Sequence, residues 1–123
     1  MTDIRSIPVD FITTSQQLLD LTDEISRLDR IAVDTETNSR HGYPERVCLI
    51  QIATFEKAFL LDPLMIENMS PLGLVLADDS VQKVMHASDQ DVRWLERDWG
   101  FRTRNVFDTS VAARFAGKNK LRN

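Results

Sequence analysis

Asp34 and Glu36 close the run Arg30-Ile-Ala-Val-Asp-Thr-Glu36, in which the β-branched Ile31 and Val33 lead into two carboxylates one residue apart. An apolar, β-branched run ending in acids reads as a buried strand that delivers carboxylates to its C-terminal tip. Strand side chains two apart share a face, so Asp34 and Glu36 emerge side by side. Neighbouring carboxylates raise each other's proton affinity unless a cation lies between them. Hard divalent ions such as Mg²⁺ or Mn²⁺ take oxygen ligands, so the pair asks for a metal. The plainer reading of an isolated Asp-x-Glu is two solvated acids at a strand end.

A third carboxylate, Asp91, falls in the first turn of a helix that follows the strand Val81–Met85. Sites of open α/β sheets gather at the carboxyl ends of the strands, which would bring Asp91 to the edge holding Asp34 and Glu36. Three carboxylates from two segments suit a pair of ions roughly 4 Å apart, an arrangement used in phosphodiester hydrolysis. Each residue also has a plainer role. Asp91 can complete a capping box with Ser88; His86, at a strand end, can be a hydrogen-bonded packing residue; His41 lies in a loop without context. Asp62 before Pro63 suits a turn and Asp108 a helix cap. Tyr43-Pro44 suits either a turn or the border of a substrate groove. Trp94 and Trp99 suit the space between helix and sheet better than base stacking.

The elements that must position these residues are legible in the periodicity. Residues 1–13, with Ile7, Val9, Phe11 and Ile12 broken by Pro8, read as an edge strand or arm. Thr14 and Gln17 fit a capping box, and Leu18, Leu21, Ile25 and Leu28 predict an amphipathic helix of about four turns. The strand Ile31–Thr37 follows, then a loop from Asn38 to Glu45. Val47–Ala53 and Ala58–Leu61 are close enough to form an antiparallel hairpin. Ser70-Pro71 opens a short helix to about Ala77, a crossover expected between parallel strands. Ser88 is expected to cap a helix carrying Val92, Leu95 and Trp99 up to Gly100. Asn105–Phe107 is a short strand, and Asp108 caps a last helix through Phe115 to Gly117. The fold class is α/β with a mixed sheet.

A chain of 123 residues fits one domain, and the whole of 1–123 is read as such. No apolar run spans a bilayer and the N-terminus lacks a signal-peptide core, which predicts a cytoplasmic protein with no membrane partner. The single Cys48, inside Val47-Cys-Leu-Ile50, is expected in the core. Net charge is −4, but from Arg102 onward six bases face one acid. That tail suits phosphate contact as well as it suits a solvated end.

Together these stretches resemble one family. Ile31-Ala-Val-Asp-Thr-Glu-Thr37, Tyr43-Pro44 and Val47-Cys-Leu-Ile-Gln-Ile-Ala53 look like the first motif of the DEDD-type 3′-5′ exonucleases, in particular the ribonuclease D-like branch and the proofreading domain of family A DNA polymerases. Lys83-Val-Met-His-Ala87, Asp91-Val92, Leu95, Gly100, Phe107-Asp-Thr109 and Ala112-Ala113 resemble the second motif and its sequel. The resemblance runs from about residue 14 to 117 and implies a ribonuclease H-like mixed sheet with flanking helices. It implies a two-metal Mg²⁺ or Mn²⁺ site in which Asp34 bridges both ions, Glu36 holds the ion that activates water, and Asp91 supports the second. Thr37, Tyr43 and His86 are the expected substrate contacts, and the 3′ end of single-stranded RNA or DNA the expected partner. Asp-Thr-Glu-Thr is closer to the proofreading form, whereas the ribonuclease D branch more often has an aromatic at Thr37.

The family's third motif, Tyr-x-x-x-Asp, has no counterpart here, Tyr43 being the single tyrosine. The resemblance therefore implies a partial, C-terminally incomplete domain, weak or inactive by itself, completed by a further segment or stabilised as a homodimer. A non-catalytic nucleic-acid-binding or partner-binding module of the same fold is the alternative. A receiver-like phosphoacceptor domain is a third reading that the early hairpin fits poorly.

Overall fold

The computed structural model describes residues 7–38 and 45–116. The chain runs β1 (Val9–Ile12), α1 (Ser15–Ile25), β2 (Arg30–Asn38), β3 (Arg46–Ala53), β4 (Ala58–Leu61), α2 (Ser70–Ala77), β5 (Gln82–Met85), α3 (Ser88–Trp99), β6 (Val106–Asp108) and α4 (Thr109–Ala116). The strands form one mixed sheet of order β1-β4-β3-β2-β5-β6. β2, β5 and β6 are parallel neighbours, β2, β3 and β4 form an antiparallel meander, and β1 lies parallel to β4 at the edge expected of it.

The hairpin between β3 and β4 is as the short connection requires. The crossover through α2 differs from expectation: β4 and β5 run in the same direction but do not pair, because β4 already has β1 and β3 on its two edges. β5 instead docks beside β2, which brings the end of β5 to the strand that carries the acids.

Several helix ends depart from the sequence reading. α1 has the Thr14–Gln17 capping box but stops at Ile25, so Leu28 lies beyond it. The Ser26 N–H already bonds back to Thr22, and the chain turns there to enter β2. α2 is capped by Met69, with Ser70 its first residue. α3 is capped by Ala87 in the left-handed conformation, not by Ser88.

The core lies on one side of the sheet. Val33, Ile52 and Phe59 form one buried cross-strand row, and Ile50 and Leu61 sit in the next with Ile12. Leu18, Leu21 and Ile25 of α1, Leu72, Val75 and Leu76 of α2, and Leu95 of α3 join the same cluster. Trp94 and Trp99 are partly buried against it, in the filling role expected of them. The opposite face carries Ala32, Asp34 and Glu36 of β2, all exposed. Cys48 is half-buried rather than a core residue. It is the extra residue of a bulge, since Glu36 pairs with Leu49 while Thr37 pairs with Val47.

Candidate active site

β2 places its side chains by simple alternation: Ile31, Val33 and Thr35 point into the core, Asp34 and Glu36 out of it. The two carboxylates are neighbours on one face, as their spacing requires. Among the described residues neither accepts a hydrogen bond nor forms an ion pair, so their lone pairs face solvent. The bulge at Cys48 lies directly opposite the Glu36–Thr37 step, twisting the strand pair where the acids end.

Asp91 approaches the same strand from its core side, opposite the face that carries Asp34 and Glu36. Its Oδ1 accepts a hydrogen bond of 2.6 Å from the hydroxyl of Thr35, the residue between the two acids. Asp91 is buried. Burial pushes its carboxyl above the ordinary aspartate range; the Thr35 hydrogen bond opposes this, and the negative charge of nearby Asp34 adds to it. Asp91 therefore makes no capping box with Ser88, and its charge is costly where it stands.

Two clamps fix α3, and with it Asp91, against the sheet. At the C-terminal end Asp98 Oδ2 accepts from the Val47 N–H at 2.9 Å, while Arg97 donates to the Glu45 carbonyl at 2.7 Å. At the N-terminal end Asp108 Oδ2 accepts from the Ser88 N–H at 2.8 Å and the Ser88 hydroxyl at 2.9 Å, and Oδ1 accepts from the Ala87 N–H at 3.0 Å. The same Oδ1 accepts from the Ser110 N–H and hydroxyl at 2.9 and 2.7 Å. Asp108 is thus the expected cap of α4 and also the tether of α3. The Ser110 hydroxyl first, then the Ser88 and further N–H groups, hold its carboxyl far below the usual range against some desolvation.

His86 is exposed at the end of β5, with Nδ1 2.8 Å from the Thr109 hydroxyl. That hydroxyl in turn donates to the Met85 carbonyl at 3.3 Å, which ties the His86 ring to the end of β5. Thr37 sits at the bulge with its hydroxyl 3.4 Å from Glu45. Tyr43 and His41 lie outside the described residues. Sequence reasoning singled out the three acids as candidates but not Thr35, Asp98 or the second contact of Asp108. All three act across large sequence separations that no local pattern reports.

The chemistry of the donor set fits a hard divalent cation. Asp34 and Glu36 offer solvent-facing carboxylates on one face, and Asp91 is a buried carboxylate whose charge Asp34 disfavours, the repulsion that a cation between them relieves. Among the described residues no three His, Cys, Asp or Glu side chains are already gathered around one point.

A mixed sheet with acids at the carboxyl edge of parallel strands defines an α/β domain whose chemistry belongs to that edge. The chain belongs to the family of 3′-5′ exonuclease domains, whose sequence model matches residues 9–122. It is 38% identical over 112 residues to the exosome complex component 10 homolog of Caenorhabditis elegans, covering 90% of this chain and 13% of that protein. The catalytic core of RRP6 from Trypanosoma brucei superposes with a TM-score of 0.86 at 30% identity, covering 99% of this chain and 37% of the other. Escherichia coli RNase D, an exoribonuclease involved in structured RNA processing, gives 0.81 at 34% identity, covering 87% and 28%. The chain thus spans only a minor part of each.

Proposed function

We propose that this chain is the metal-binding portion of an exonuclease domain that hydrolyses phosphodiester bonds from the 3′ end of single-stranded RNA. One observation carries the reading: Asp91 is hydrogen-bonded to Thr35, the residue between Asp34 and Glu36 in sequence, in a chain of the exonuclease family. The identity to RNase D, named an exoribonuclease, favours RNA over DNA.

Asp34, Glu36 and Asp91 would hold Mg²⁺ or Mn²⁺. When bound, such ions supply an activated water and neutralise the charge that develops on phosphate oxygens. The chain's own groups then orient the substrate. His86 and the Thr37 hydroxyl would accept or donate hydrogen bonds to the terminal nucleotide, with Tyr43, outside the described residues, as a further substrate contact. The exposed Arg102, Arg104 and Arg114, together with Lys118, Lys120 and Arg122 outside the described residues, contribute phosphate contacts. Among the described residues no helix is long and apolar enough to cross a membrane.

These 123 residues contain no Tyr-x-x-x-Asp. Activity of the chain by itself is accordingly weak or absent, and a segment bearing that pattern completes the domain, while a second copy would stabilise it only. The test is a gel assay on 5′-labelled single-stranded RNA and on DNA of the same sequence with Mn²⁺, using the chain alone and fused to such a segment. A 3′-5′ ladder on RNA from the fusion, abolished by Asp34→Asn, is the expected result. A ladder that survives Asp34→Asn would overturn the assignment, and full activity of the unfused chain would overturn its incompleteness.

A further inference from the structure

Ala87, the residue that turns the chain from β5 into α3, has φ 53 and ψ 58, a left-handed conformation that a residue with a Cβ adopts only when its surroundings hold it there. No side chain of its own segment does so: α3 has no side-chain cap from Ala87. The group that holds it comes from another strand, 21 residues on. Asp108 accepts hydrogen bonds from the N–H of Ala87 and from the N–H and hydroxyl of Ser88, and its remaining two bonds go to Ser110 at the start of α4. Asp108 can reach because β5 and β6 are parallel and Met85 lies opposite it in register.

We infer that Asp108 is a positioning residue for the metal-holding carboxylate Asp91. Asp91 is one helical turn beyond Ser88, so the direction in which α3 leaves β5 decides whether its carboxylate meets the Thr35 hydroxyl, and through it the strand of Asp34 and Glu36. The Asp98 clamp fixes the far end of the same helix; Asp108 fixes the near end. One carboxylate with five donors thereby converts an unfavourable turn into a single entry angle for α3. Asp108 holds no metal in this scheme and touches no substrate.

The inference rests on the reading of Asp34, Glu36 and Asp91 as the cation set, and the test separates the two. Mn²⁺ binding is titrated by calorimetry on wild type, Asp91→Asn, Asp108→Asn and Val75→Ala, the last a core variant in α2 that weakens the fold away from the site. Asp108→Asn is expected to bind Mn²⁺ about tenfold more weakly, the lower end of what outer-sphere partners of metal ligands cost. Val75→Ala binds as wild type although its melting temperature falls. Should Asp108→Asn not fold, Ser88→Ala and Ser110→Ala decide: the first loosens the α3 arm and weakens Mn²⁺ binding, the second loosens only the α4 arm and does not. Wild-type affinity in a folded Asp108→Asn protein overturns the inference. So does an equal loss in Val75→Ala, or equal affinities in the serine pair. Identical titrations of wild type and Asp91→Asn overturn the cation reading beneath it.

Discussion

Asp91 joins a buried location to an ionisable group, and the stability of the metal-free fold and the proposed binding of a cation pull in opposite directions. Without a cation its charged form is penalised by burial and by Asp34, so its folded-state pKa lies above its unfolded value. The folded state then binds more protons than the unfolded one between the two values, and stability falls as pH rises through that window. Asp91→Asn keeps an oxygen for the Thr35 hydroxyl and removes the charge. In metal-free buffer the variant should match wild type below pH ~3.8 and become the more stable protein as pH rises towards neutrality. Thermal melts over a pH series check this, and a variant less stable than wild type at neutral pH would show that the charge is no burden. With Mn²⁺ at about a hundred times its dissociation constant the order should reverse, since a ligand of the folded state alone adds about 2.7 kcal/mol that the variant forgoes. Asp34 and Glu36 were legible because a period of two is a property of any strand. The bond from Thr35 to Asp91 joins residues 56 apart, and no local spacing encodes it.

α3 and α2 show how far element-scale features follow from pattern. The apolar positions of α3 and its terminal Gly100, with φ 74, follow from spacing, whereas its cap is Ala87 and not the expected Ser88, because the group that holds this end is Asp108 on another strand. The far clamp yields a prediction. Burial alone would raise the Asp98 carboxyl, but the Arg97 side chain, the Val47 N–H and the charges of Arg97 and Arg46 outweigh it and hold the group below its ordinary 3.8. A depressed folded-state pKa means stability that is present above the unfolded value and lost as pH falls through the folded one. Asp98→Asn should therefore cost about 1.5–3 kcal/mol at neutral pH, the range for hydrogen bonds to charged groups. The deficit should shrink under acid conditions, below the ordinary value; a deficit independent of pH in urea titrations would remove the charge from the explanation. In α2, Gly73 sits mid-helix where propensity favours alanine by up to about 1 kcal/mol. A Cβ there would lie 2.6 Å from the ring of Phe101, which is stacked on Trp99 with centroids 5.8 Å apart. Overpacking of a held ring costs about 1–3 kcal/mol, so Gly73→Ala should lose up to about 2 kcal/mol net. A midpoint in urea at or above that of wild type would mean that the ring yields freely.

At the scale of the molecule, the buried core of the described residues lies on one side of the sheet. The register places Val9, Ala58, Ala53, Ala32, Val84 and Phe107 in a single row across all six strands on the face opposite the core. Phe11 and Leu60 extend it, and Asp34 and Glu36 stand on the same face. Val9 is 48% exposed, Phe11 67% and Phe107 45%, while Ala53, Ala58 and Val84 between them are half-buried, so among the described residues this face stays partly open to water. Flanking helices were expected from the family resemblance, and alternation along each strand could not tell which face they cover, because a row of alanines and valines suits a helix layer and open solvent alike. Layered domains bury both faces of such a sheet, and contiguous apolar surface of a few hundred Å² marks an interaction surface. At about 25 cal/mol per Å², such an area left in water forgoes several kcal/mol, comparable to the net stability of a domain. The chain by itself should accordingly be marginally stable and associate through this face, with a melting temperature that rises with protein concentration. Ala53→Lys, at the centre of the row, puts a solvated charge on the open face without touching the core. It should abolish the concentration dependence and give a monomer in sedimentation, while leaving the dilute-solution melting temperature nearly unchanged. A wild-type chain that stays monomeric with a concentration-independent melting temperature would show that the open face is stable in water.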